Sequence, residues 1–92
     1  MTATERRTVA LMRFAERHGL TYEQVAKLSR LAHAAHRAGE RYCSIDRPGL
    51  EEASDRAQAR FEKYAAECGF TATWPGLWPV LHRDGRDVYL PE

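Results

Sequence analysis

His33 and His36 stand three residues apart, with Glu40 four beyond His36, a spacing that on a helix brings two imidazoles and a carboxylate to neighbouring sites. A zinc ion takes three or four protein ligands. No His-Glu-x-x-His or paired-cysteine pattern supplies the remainder, so both histidines are expected to face solvent on an alanine-rich helix, with no metal and no cofactor implied. His82 and Asp87 form a second pair, which reads more simply as a cross-strand contact than as half of a catalytic dyad. Ser29, Ser44, Ser54, Cys43 and Cys68 fall in no recognisable nucleophile setting. The two cysteines form no CxxC pair and are expected to be reduced, buried thiols. Neither a GxGxxG run nor a phosphate loop occurs. The expectation is a protein that is not an enzyme.

A different kind of chemistry gathers near the C-terminus. Trp74, Trp78 and Tyr89, with Arg83 and Arg86, belong to the residue types that carry most of the binding energy at interfaces. Large aromatics in so small a chain mainly complete a core. Their remaining role would be to contact a macromolecular partner, and these five residues are the candidate partner-binding set.

Charge is distributed unevenly. Residues 1–47 hold nine Lys/Arg against five Asp/Glu, a net of +4, while residues 48–92 hold five against eight, a net of −3, within an overall charge of +1. Such a split can serve an anionic partner. At these magnitudes two halves that attract each other within the fold is the favoured reading, because nucleic-acid binders usually carry a more basic face. If DNA were the partner, Lys27, Arg30 and Arg37 would be the residues to contact it.

These side chains need a scaffold, and 92 residues allow one domain with one modest core. A hydrophobic content of 43% and a charged content of 29% belong to an ordinary globular chain. No apolar run approaches the roughly 18 residues of a membrane span. No secretory signal precedes the first helix, and the chain is expected in the cytoplasm.

A first helix is expected over about residues 4–18, with Thr2 and Glu5 spaced as a capping box, Gly19 as its stop, and Leu11, Met12 and Ala15, with Val9 and Phe14 at the margins, as its apolar stripe. The second, over about 21–41, starts with Thr21 and Gln24 as a capping box and buries Val25, Leu28, Ala32, Ala35 and Tyr42. Gly39 marks its fraying end. The third, over about 50–68, carries Leu50, Ala57, Phe61, Ala65 and Cys68 inward and places Glu51, Glu52 and Asp55 at its N-terminal end, where the dipole favours them. Short strands are expected over about 70–74, 77–82 and 87–90. The last two join through Asp84-Gly85, a pair suited to a type I′ turn, which would pair His82 with Asp87, Leu81 with Val88 and Val80 with Tyr89. Helices first and strands last define an α+β domain: three helices followed by a C-terminal antiparallel β-hairpin or three-stranded meander.

Two resemblances bear on function. Residues 18–29, His18-Gly19-Leu20-Thr21-Tyr22-Glu23-Gln24-Val25-Ala26-Lys27-Leu28-Ser29, resemble the opening of a repressor-type helix-turn-helix, which implies a DNA-binding regulator. The pattern departs from the motif at Arg30, where a turn is required, and at His36, where an aliphatic anchor is expected. The C-terminal third is similar to the ends of small accessory proteins of bacteriophages and mobile elements, through Glu62 to Phe70, Trp74-Pro75-Gly76-Leu77-Trp78-Pro79 and Asp84 to Pro91. That resemblance implies a non-enzymatic viral protein that inhibits a host defence protein or ribonucleoprotein, as anti-CRISPR proteins do, by occupying its surface. A DNA-binding regulator and a small metal-binding protein or enzyme are the alternatives. A homodimer through the alanine-rich second helix is compatible with all three.

Overall fold

A computed structural model describes residues 1–92. It contains α1 (Ala3–His18), α2 (Tyr22–Ser44) and α3 (Leu50–Glu67), followed by β1 (Thr71–Thr73), β2 (Val80–Arg83) and β3 (Arg86–Val88). The strands form one antiparallel sheet in the order β1-β2-β3, so the architecture is α+β, with three helices and a three-stranded meander. None of the helices is long and apolar enough to cross a membrane.

Local chemistry fixes the helix ends. Thr2 Oγ1 accepts the Glu5 N–H at 3.1 Å, and Gly19 ends α1 in the left-handed region at φ 67°. Two residues later the Thr21–Gln24 capping box is complete: Thr21 Oγ1 accepts the Gln24 N–H at 3.1 Å, and Gln24 Oε1 accepts the Thr21 N–H at 2.9 Å. The hairpin is also as the sequence dictates. Asp84 and Gly85 take φ 53° and 74°, and β2 pairs with β3 in the register Leu81–Val88, His82–Asp87, Arg83–Arg86.

The core lies where the helices meet the inner face of the sheet. Phe61, Leu28, Val25 and Leu81 are fully buried, joined by Leu11, Phe14, Ala32, Ala65, Phe70 and Leu90. Each large apolar side chain removed from water contributes roughly 1.5–3 kcal/mol. The small residues of α2 let α3 approach, and these two helices share the most extensive helix contact in the molecule.

Several expectations need correction. α2 does not end near residue 41 but continues to Ser44. Gly39 lies inside it, buried, and a Cβ there would meet Leu77 Cδ2 at 2.7 Å, so this glycine marks a close approach rather than an end. Met12 and Tyr42 are exposed, while Phe14, Ser29 and Ser54 take the buried positions. Each seven-residue step from Leu28 through Ala35 to Tyr42 falls about 20° short of two full turns, and Tyr42 lies in the last turn of α2, so it leaves the buried stripe. Cys43 is exposed near the end of α2, whereas Cys68 is buried at the end of α3. The strands are shorter than expected at β1. β2 begins three residues later, since residues 75–78 bend, and β3 ends at Val88, leaving Tyr89 exposed and outside the ladder with Val80. His33 and His36 do not face solvent freely: both are half-buried against Trp78, with ring centroids 4.8 and 6.3 Å from the indole.

Candidate anion-binding site

The row Arg30, Arg37, Arg41 steps by seven and four residues along α2, which keeps the three guanidinium groups on one side of the helix over about 16 Å. All three are exposed. Glu23 begins the same row seven residues before Arg30, so the row is basic from Arg30 onward. α1 runs back beside α2 after the tight Gly19–Thr21 connection, and this brings Arg7 alongside. Arg7 Nη2 donates to Ser29 Oγ at 3.1 Å, and Ser29 is almost wholly buried. Arg7, Arg30, His33 and Arg37 then line one surface groove, with neither an apolar nor an acidic residue among them.

A second groove flanks α2 on the side of α3, lined by Lys27, Leu31, Arg60, Lys63, Tyr64 and Glu67. Lys27 Nζ lies 4.4 Å from the centre of the Tyr64 ring, a cation–π contact that holds the ammonium at the surface. Burial pushes the Tyr64 hydroxyl above its ordinary range, with the neighbouring Cys68 and Glu67 adding to the shift, while the charge of Arg30 acts in the opposite sense. Lys27 and Arg30, three residues apart on α2, stand on neighbouring positions of the helix and line the two grooves, one each, so basic side chains flank α2 on both sides.

The expected attraction between the basic and acidic halves is not realised as ion pairs. Only two pairs form in the molecule, His36 with Glu40 one turn along α2 and His82 with Asp87 across the hairpin. No Lys or Arg lies within 4.0 Å of a carboxylate oxygen. The guanidinium groups of the α2 band are therefore free to meet an external anion.

His33 is the half-buried member of the α1-side groove lining. Its Nε2 lies 3.3 Å from the backbone oxygen of Glu92. Burial lowers its pKa first. Arg7 adds to this and the Glu92 hydrogen bond opposes it, with His36 and Arg37 lowering it further. A pKa below the ordinary histidine value leaves the imidazole neutral at pH 7.

The five partner-binding candidates do not form one surface. Trp74 packs edge-on against Phe61 with centroids 5.6 Å apart and donates its Nε1–H to Glu62 Oε1 at 2.7 Å. Trp78 donates to the Leu90 carbonyl at 3.0 Å and covers His33 and His36. Arg83 folds inward over the Phe70 ring at 3.9 Å and donates to three carbonyls, His18 at 3.1 Å, Cys68 at 2.9 Å and Gly69 at 3.4 Å. Those oxygens stand at the ends of α1 and α3, where helices leave carbonyls unsatisfied. Arg86 and Tyr89 remain exposed, and Arg86 shares a groove with Arg17, His18, Arg83, Asp84 and Val88.

His82 and Asp87 gain a third member that the sequence did not reveal. His82 Nδ1 meets Asp87 Oδ1 at 2.8 Å, and Nε2 meets Thr73 Oγ1 at 2.7 Å. The carboxylate fixes the proton on Nδ1, and Nε2 then accepts from the Thr73 hydroxyl. This chain ties all three strands together on the outer face of the sheet. The groove that reaches His82 is lined by Thr71, Arg83 and Asp84 and includes neither Thr73 nor Asp87. No group of three His, Cys, Asp or Glu side chains gathers at metal-binding distance. At Cys68, burial pushes the thiol up, away from the reactive thiolate.

Sequence reasoning named Lys27, Arg30 and Arg37 but missed Arg7, whose place depends on how α1 packs. The seven-residue step from Arg30 to Arg37 was the available signal. The helix-turn-helix resemblance is not followed by its turn, since α2 is continuous through Arg30 and His36. No family model, curated protein or solved structure matches the chain.

Proposed function

We propose that this protein acts by binding rather than by catalysis, and that its partner is a nucleic acid, free or within a ribonucleoprotein, engaged through its phosphates by the basic band on α2. The observation that carries this reading is the set Arg7, Arg30 and Arg37, drawn from two helices into one groove with no carboxylate oxygen within 4.0 Å of their guanidinium groups. Phosphate contacts of this kind supply affinity without reading sequence. An Arg guanidinium can clamp a phosphate with two parallel hydrogen bonds.

The same reading accommodates the resemblance to phage accessory proteins. A host ribonucleoprotein of a defence system, met in the cytoplasm, presents RNA phosphates that a small basic protein can cover, and covering them blocks the complex. A regulator that binds DNA through a separate recognition helix has less support, because α2 offers a continuous ridge instead.

Fluorescence anisotropy with a labelled single-stranded oligonucleotide, repeated over a series of salt concentrations, tests the proposal. Counterion release makes the logarithm of the affinity fall linearly with the logarithm of salt, with a slope set by the number of phosphates contacted. Three or more contacts are expected from Arg7, Arg30 and Arg37. Absence of binding at low salt, or binding that salt does not weaken, would count against the proposal.

A further inference from the structure

We infer that the groove between α1 and α2 is a dedicated site for a phosphate monoester, the terminal phosphate of a nucleic-acid strand, while the rest of the α2 band follows the backbone. The inference rests on the polyanion reading above and assigns a specific occupant to one part of that surface.

The two flanking grooves differ in kind. The α3-side groove mixes Lys27, Arg60 and Lys63 with Leu31, Tyr64 and Glu67, a lining suited to a chain that passes over it. The α1-side groove has only Arg7, Arg30, His33 and Arg37. Three guanidinium groups lining one groove offer more N–H donors than a single diester oxygen pair can use. A monoester carries close to two negative charges at pH 7 and three terminal oxygens, which suits a lining of three arginines with no apolar or acidic residue among them.

Two of the four lining residues, Arg7 and His33, are held from behind. Arg7 is fixed by its bond to the buried Ser29 hydroxyl, which leaves its other N–H groups to point elsewhere. His33 is held edge-on against Trp78 and tied to the Glu92 backbone. Donors positioned before the ligand arrives lose less freedom when they bind it.

His33 adds a proton-linked element. The charged and titratable groups around it are Arg7 from α1, Arg30, His36 and Arg37 from α2, and Glu92 from the C-terminal segment. Burial, and after it the neighbouring cations led by Arg7, disfavour its protonation in the free protein. A dianion seated between Arg7 and Arg37 offsets that repulsion, so binding draws a proton onto the imidazole.

The experiment compares a short single-stranded oligonucleotide with and without a 5′-phosphate at fixed salt, with inorganic phosphate as competitor. The phosphorylated strand is expected to bind about tenfold more tightly, and inorganic phosphate to erase that advantage before it displaces the unphosphorylated strand. Arg37→Lys, which keeps the charge but loses the two-pronged clamp, is expected to remove most of the preference. Lys27→Ala with Arg60→Ala should weaken both strands alike. In NMR titrations the His33 imidazole resonances should show a higher pKa when phosphate is bound. Equal affinity for the two strands, or a His33 titration unmoved by phosphate, overturns this inference while leaving the polyanion reading standing. Failure of both strands to bind removes the reading itself.

Discussion

Arg83 shows how much of the fold one side chain can tie together. Its guanidinium caps carbonyls at the ends of two helices and stacks on Phe70, work that neither the hairpin nor the helices could do alone. Hydrogen bonds from a charged donor contribute more than neutral ones, so Arg83→Ala is expected to lower stability by about 2–3 kcal/mol in urea melts. Arg83→Lys should recover only part of this, because an ammonium cannot reach three separate oxygens in the same plane. A loss below about 0.5 kcal/mol for Arg83→Ala would show that the carbonyls are equally well served by water. The sequence placed Arg83 at a hairpin tip and could not show it turning inward. That turn depends on where the ends of α1 and α3 lie, which is a tertiary fact.

At the scale of elements, caps and turns were legible and long-range pairings were not. Thr21, Gln24, Gly19 and the Asp84-Gly85 pair each specify local geometry through their own chemistry, and each does so in the structure. Gly39 illustrates the opposite case. Glycine inside a helix costs about 1 kcal/mol relative to alanine, which made it look like an end. It is retained because Leu77, arriving from the bend before β2, fills the space a Cβ would need. A double-mutant cycle exposes this. Gly39→Ala should gain roughly 0.5–1 kcal/mol when Leu77 is first replaced by Ala, and lose that gain in the wild-type background. Additive effects would separate the two residues. Thr73 escaped notice for a related reason: its contact with His82 follows from the β1–β2 register, which pairs Thr71 with His82 and Thr73 with Val80 across a long connection. The hairpin contact of His82 with Asp87 needed only a count outward from the turn.

For the whole molecule, the charge split visible in the sequence acquires a different meaning in three dimensions. Its basic half is not consumed by its acidic half, and α2 carries the surplus as a band between two grooves. The same surplus imposes a pH dependence. Burial lowers the pKa of His18, with Arg83 and Arg17 reinforcing it, and burial with Arg7 lowers that of His33. In the unfolded chain both return to about 6.5. Below that pH the unfolded state takes up protons that the folded state resists, so this contribution is present above pH 6.5 and is lost as pH falls toward the lower folded values. The melting temperature is expected to drop between pH 7.5 and 5.5, and His33→Gln should flatten part of the drop. A wild-type profile that is flat over that interval would contradict it.

The band on α2 is tested most directly by exchanging charge at matched numbers. Oligonucleotide affinity is measured for a variant with Arg7, Arg30 and Arg37 all changed to Glu, and for one with Arg13, Arg47 and Arg86 changed to Glu, which has the same net charge but lies outside both grooves. The first variant should lose binding and the second should retain most of it, with a salt slope close to that of the wild type. Equal losses in the two variants would mean that overall charge, and no particular face of this fold, governs the interaction.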